Sequence, residues 1–144
     1  MTFNFKMMPG NDQKFYAKMG HFFASRKIRK EIGGYPLNNE DDWIWMVATE
    51  KHRLNVAGFI CIEPTKNGLL MHDCFVESEY RGNGVFATLL EKVIYYAEFE
   101  KKDLYASVNE KMQQVFEKRG FDIVGKRGQW LTMGRPRDEK EVSE

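Results

Sequence analysis

The five residues Tyr80-Arg81-Gly82-Asn83-Gly84 are the part of this sequence best suited to chemistry. They follow an apolar run that ends near Val76. They precede the stretch Val85 to Ala97, whose apolar positions 86, 89, 90, 93, 94 and 97 keep a helical period. A strand, a glycine turn and a helix in that order make an anion-binding arrangement. The helix N-terminus leaves N–H groups without intrahelical partners and carries a partial positive charge. Glycines remove the side chains that would hold an anion away, and Arg81 adds a cation. Such a turn also serves simply to make a corner, so the five residues alone leave both readings open. They are not a P-loop, because the Gly-Lys-Ser/Thr ending is missing. They are a poor dinucleotide fingerprint too, because the place of the third glycine falls near Thr88.

The elements that must hold this loop are set by a chain of 144 residues, enough for one domain with its own core. Hydrophobic residues at 42% and aromatic residues at 14% suit a globular protein rather than a disordered one. A formal charge of +1 gives no reason to expect a nucleic-acid partner. The one basic cluster, Arg26-Lys27-Ile28-Arg29-Lys30, reads first as a solvated helix face, with a polyanion site as the alternative. No apolar run approaches the ~20 residues that cross a bilayer. The first residues lack the layout of a secretory signal. Cys61 and Cys74 are too few for a disulfide framework and have no metal-ligand spacing, so a reduced, cytoplasmic protein without a metal site is expected.

Along the chain, Thr2 to Lys6 alternates like a short strand, and Pro9-Gly10-Asn11-Asp12 breaks it with Asn11 or Asp12 as a helix cap. Phe15, Met19, Phe22 and Phe23 predict one or two amphipathic helices over residues ~12 to ~31. A loop through Gly33-Gly34-Tyr35-Pro36 leads to three strand-like runs, Trp43 to Thr49, Asn55 to Ile62 and Leu69 to Val76. Asn67-Gly68 predicts a two-residue hairpin turn between the last two runs. That turn would set Cys61 opposite Cys74 and Glu63 opposite His72. Leu104 to Val108 reads as a short buried strand. Asn109 caps a helix that exits at Gly120, and Phe121 to Val124 and Trp130 to Met133 are the last strands. The order predicts an α/β layout with a largely antiparallel front half and a parallel element in the middle.

The stretch Cys74 to Leu90, CFVESEYRGNGVFATLL, resembles the acetyl-CoA signature of the GNAT family of N-acetyltransferases. Asn109 to Phe121, NEKMQQVFEKRGF, resembles that family's second signature, in the right order and at the right spacing. The resemblance implies an α/β (α+β, three-layer) fold: a mixed, mostly antiparallel central sheet of six or seven strands flanked by about four helices. It implies acetyl-CoA as acyl donor. Backbone amides from Arg81 through Phe86 (Arg81, Gly82, Asn83, Gly84, Val85 and Phe86) would hold the pyrophosphate. Cys74, Phe75 and Val76 would pair their backbone with the pantetheine arm, and an N–H near Cys74 would polarise the thioester carbonyl. Asn109 would lie beside the pantetheine. Phe116 falls where the family usually has the tyrosine that protonates the departing thiolate, and a phenylalanine has no proton to donate.

Acyl transfer to an amine requires the amine to be neutral when it attacks, so a base is useful. His72 is the first candidate, two residues before Cys74 and on the same strand face, with Glu63 to orient its ring. Asp73 is the alternative on the other face, and a strand histidine also serves as an ordinary structural residue. Tyr105 or Ser107 would replace the missing phenol, although Tyr105 also reads as strand packing. Cys61 and Cys74 read as small buried thiols with no base beside them. The expectation is one acyltransferase domain over residues 1–134 and a charged, frayed tail over 135–144. Its activity would be direct attack of an acceptor amine, on a small molecule or a protein, upon acetyl-CoA. The alternative is a catalytically weak acyl-CoA-binding or interaction module on the same fold. No membrane partner is expected, and a homodimer is left open.

Overall fold

Phe15, Met19 and Phe22 recur at helical spacing and are at most 1% exposed, which fixes the buried face of helix α1 (Phe15–Ala24). Burying each of them contributes about 2 kcal/mol. Ser25 then leaves the helical conformation and caps α2 (Arg26–Glu31), its hydroxyl accepting from the Ile28 N–H at 3.2 Å. These helices lie between strands β1 (Phe3–Pro9) and β2 (Ile44–Glu50) in the chain. β3 (Val56–Thr65) and β4 (Gly68–Val76) follow, then α3 (Val85–Phe99), β5 (Leu104–Asn109), α4 (Gln113–Glu117), β6 (Asp122–Arg127) and β7 (Trp130–Arg135). The structure is a computed structural model, and it describes residues 1–34 and 36–138.

The seven strands form one mixed sheet in the order β1-β2-β3-β4-β5-β7-β6. β1 and β3 pair antiparallel with β2, and β5 and β6 pair antiparallel with β7. β4 and β5 run parallel, with Leu69, Leu70 and Met71 in register with Leu104, Tyr105 and Ala106. This is the mixed, mostly antiparallel sheet with helices that the sequence predicts. No described helix is long and apolar enough to cross a membrane.

The chain divides into two compact units. The first comprises Met1–Ile62 and Asp73–Val93. Its core is aromatic: Phe22 meets Phe59 at 5.1 Å and Phe75 at 5.9 Å between ring centroids, and Trp45 meets Phe59 at 5.4 Å. Trp45 is fully buried, so its indole N–H needs an acceptor, and it donates to Asn39 Oδ1 at 2.9 Å. The second unit comprises Glu63–His72 and Ile94–Glu144. Within it Phe116 meets Phe121 edge to face at 5.1 Å, both about 1% exposed. Arg135, which the sequence places at the head of a charged tail, closes β7: its guanidinium bonds Glu98 at 2.7 Å and the Arg119 carbonyl at 2.8 Å. Arg137 N–H donates to Asp103, and residues 139–144 of that tail lie outside the described residues.

The hairpin between β3 and β4 turns one residue earlier than Asn67-Gly68 suggests. β3 ends at Thr65 and β4 begins at Gly68, so Lys66 and Asn67 form the connection. Gly68 answers a different demand. A Cβ there would collide with the Asp103 carbonyl, which accepts from the Leu69 N–H at 2.9 Å. At the far end of the hairpin, the Glu77 N–H donates to Ala57 O at 2.8 Å. Between these points β4 holds one residue more than β3. Asp73, at φ +53 in the middle of β4, has the left-handed backbone of a bulge residue.

Candidate functional site

The loop 78–84 is built on a buried tyrosine. Tyr80 ends a short 3₁₀ turn (Ser78–Tyr80) and is 1% exposed. Its ring stands edge-on to Phe3 at 5.6 Å, and its hydroxyl donates to Asn55 Oδ1 at 2.9 Å. The chain then turns through Gly82 at φ +84 and Gly84 at φ +75, a conformation that costs little only for glycine. Between them the Asn83 amide donates back to the Tyr80 carbonyl at 3.0 Å, closing the turn. Thr88 N–H donates to Gly84 O at 3.0 Å, which starts α3, so the N–H groups ahead of it point out of the helix end. A Cβ on Gly82 or Gly84 would meet nothing within 4 Å. The space in front of this helix N-terminus is therefore open, an arrangement suited to an anion.

Arg81 does not reach freely into this space. Its Nε donates to the Val76 carbonyl at 2.9 Å, and its Nη2 bonds Glu31 Oε2 at 3.0 Å. Its guanidinium carbon also lies 5.8 Å from the centre of the Phe75 ring. The arginine staples α2 to the strand end, and its charge is shared with Glu31. Beside Phe75 opens a cleft of about 210 Å³, bordered by Ser25, Ile28, Glu31 and Glu77. Glu31, fifty residues before Arg81, and Asn55 carried no local signal; only the fold sets them beside the loop.

Cys74, Phe75 and Val76 lie in the first unit with the loop residues Arg81 to Phe86. Phe75 is buried in the aromatic core, and burial, with the Asp73 carboxylate adding to it, pushes the Cys74 thiol up to about 12. A thiol so disfavoured as thiolate is no nucleophile at neutral pH. Cys61 is buried.

His72, Glu63, Tyr105, Asn109 and Phe116 lie in the second unit. The structure brings His72 and Glu63 together, with Nε2 and Oε1 3.2 Å apart although the hairpin register differs from the one expected. The chain passes between the units from His72 to Asp73, where the left-handed backbone interrupts the alternation that set His72 and Cys74 on one face. Tyr105 packs across its register partner Gly134, where a Cβ would sit 3.1 Å from the tyrosine ring. Asn109 Oδ1 accepts from the Lys111 N–H at 3.0 Å, capping the turn that leads into α4. Phe116 is core, packed against Phe121.

The acetyltransferase (GNAT) family model matches residues 22–121 of this chain. Among solved structures, Escherichia coli ElaA superposes with a TM-score of 0.75 at 14% identity, over 93% of this chain and 99% of that one. An acyl-CoA N-acyltransferase from Pseudomonas aeruginosa superposes with a TM-score of 0.69 at 17% identity, over 93% and 99%. The PaiA N-acetyltransferase of Thermoplasma acidophilum, solved in complex with coenzyme A, superposes with a TM-score of 0.64 at 14% identity, over 94% and 99%. At these identities the likeness is one of fold. No curated protein sequence matches this one.

Proposed function

The chain belongs to the GNAT family of acetyltransferases, and from that premise we propose that it transfers an acetyl group from acetyl-CoA to a primary amine by direct attack in a ternary complex. The observation that carries the reading is the pair of left-handed glycines, Gly82 and Gly84, holding open space before the α3 N-terminus. In it the amides from Gly82 through Phe86 bind the donor's pyrophosphate, the Arg81 N–H being held by the Ser78 carbonyl at 3.3 Å, and the backbone of Cys74 to Val76 pairs with its pantetheine arm. The acceptor nitrogen adds to the thioester carbonyl carbon, its proton passes to a base, and the carbon–sulfur bond breaks with the electron pair leaving on sulfur. His72, held by Glu63, takes the amine proton. Tyr105 or Ser107 returns one to the thiolate. The cleft beside Phe75 is the recess through which the acceptor enters. The setting is cytoplasmic.

A second reading is an acyl-CoA-binding module with little turnover. It is favoured by Phe116, a buried ring with no proton to donate. Calorimetric titration with acetyl-CoA, followed by a panel of primary amines with thiol release as readout, separates the two. Binding with amine-dependent release of coenzyme A supports transfer. Binding without release from any amine supports the module, and no binding of acetyl-CoA overturns both.

A further inference from the structure

Lys14, Lys18 and His21 lie four and then three residues apart, along one stripe of α1 and its N-cap. They face the turn Leu54–Val56 across a cleft of about 470 Å³, within the range of small-molecule sites. Ala17, between Lys14 and Lys18 in the lining, is small. The acids around this turn are already engaged. Glu79 pairs with Arg53 at 3.0 Å, Glu50 accepts from the His52 and Arg53 N–H groups, and Asp12 accepts from the Lys14 N–H.

Charge along the chain is segregated in the same direction. Residues 13–32 hold six of the 22 Lys and Arg residues and one of the 21 Asp and Glu residues. That one acid, Glu31, is paired with Arg81. The rest of the chain holds 16 cationic and 20 acidic residues, so the net charge of +1 hides a positive helical segment on an otherwise negative protein. A cleft lined by two lysines and a histidine, with no acid in its lining, selects anions.

We propose that this cleft is an anion-binding site, distinct from the recess at the α3 N-terminus, for a small molecule carrying a carboxylate or phosphate group. The cleft shares Asn55 with the base of the Tyr80 loop, since that amide oxygen holds the Tyr80 hydroxyl. The proposal requires no acyl transfer, so its outcome is independent of the enzymatic reading.

The test is a titration followed by amide chemical shifts, with inorganic phosphate and succinate as probes and succinamide as uncharged control, at constant ionic strength. Saturable shifts at Ala17, Lys18, Leu54 and Asn55 with either anion are expected, and the stronger probe identifies the headgroup. The double substitution Lys14→Gln, Lys18→Gln, at exposed and half-exposed positions, should weaken binding about tenfold or more, the loss of one to two charge-assisted bonds. Lys30→Gln, outside the cleft, should leave it within about twofold, and a matched thermal melt shows that each variant is folded. No saturable shift with either anion overturns the proposal. So do shifts confined to Gly82–Val85, or a double variant that binds within about threefold of the parent.

Discussion

Substituting Gly84 separates the strain of its backbone from the obstruction of its recess. Its φ of +75 costs an L-residue ~1–2 kcal/mol, and because a Cβ there meets no atom within 4 Å, no steric cost is added. Gly84→Ala should therefore lower Tm by roughly 3–8 °C in a chain of this length. Gly84→Trp carries the same backbone strain but fills the space before α3. If two amide bonds to the donor's phosphates are lost at ~1.5–3 kcal/mol each, affinity for coenzyme A falls by at least ~10²-fold. Gly20→Ala is the control. Gly20 lies inside α1 with open space around its Cβ position, so alanine should stabilise by about 0.5–1 kcal/mol. Thermal melts and calorimetric titration with coenzyme A read both quantities. Destabilisation by Gly84→Ala above ~3 kcal/mol would mean the recess is filled by protein. A tryptophan variant binding as tightly as the parent would refute the assignment of the pyrophosphate to this turn.

Three further outcomes follow from the same structure. Glu50 is held below its ordinary 4.5, first by the Arg53 N–H and also by the His52 N–H and nearby positive charge, with burial opposing. Its carboxylate contributes stability above the unfolded value, and that contribution is lost as pH falls through the lower folded value. The Tm gap between the parent and Glu50→Gln should thus be full at pH 7 and shrink below pH ~4.5; a gap that widens on acidification would contradict it. With its thiol near 12, Cys74 should be alkylated by iodoacetamide at pH 8 at least ~100-fold more slowly than a free cysteine, and Cys74→Ala should keep acetyl transfer. If His72 takes the amine proton, His72→Ala should lower kcat/KM about 100-fold or more, while acetyl-CoA affinity stays unchanged. Glu63→Gln should do the same to a smaller degree, and an unchanged kcat/KM in both variants would remove the pair from the mechanism.

The strand and helix order and the glycine turn before α3 were legible because their signals are local. The 3.6-residue period of α3 and the two glycines lie within about fifteen residues of one another. The hairpin register was not, because Gly68 had two explanations that look alike in sequence. A turn glycine and a glycine that admits a distant carbonyl are the same letter, and here Asp103 decides. The bulge at Asp73 was equally silent, since an aspartate in a strand usually marks nothing. Arg81 was the right residue for a phosphate by type. Its engagement with Glu31, Val76 and Phe75 depends on α2 folding back across the strand end, which no spacing encodes.

The two compact units are interleaved along the chain, and the effect of this is felt during synthesis. The first unit needs residues 73–93, so it cannot be completed when its long N-terminal stretch, Met1 to Ile62, has left the ribosome. By the time Val93 emerges, residues 63–72 of the second unit have already been made and must wait for a partner. β5, which pairs with Leu69–Met71, begins only at Leu104. During that interval the outer edge of the β3–β4 hairpin is an unpaired strand, the kind of edge that recruits neighbouring chains. Vectorial folding of this protein therefore has a brief, defined window of exposure, and it closes with the parallel strand rather than with the first core.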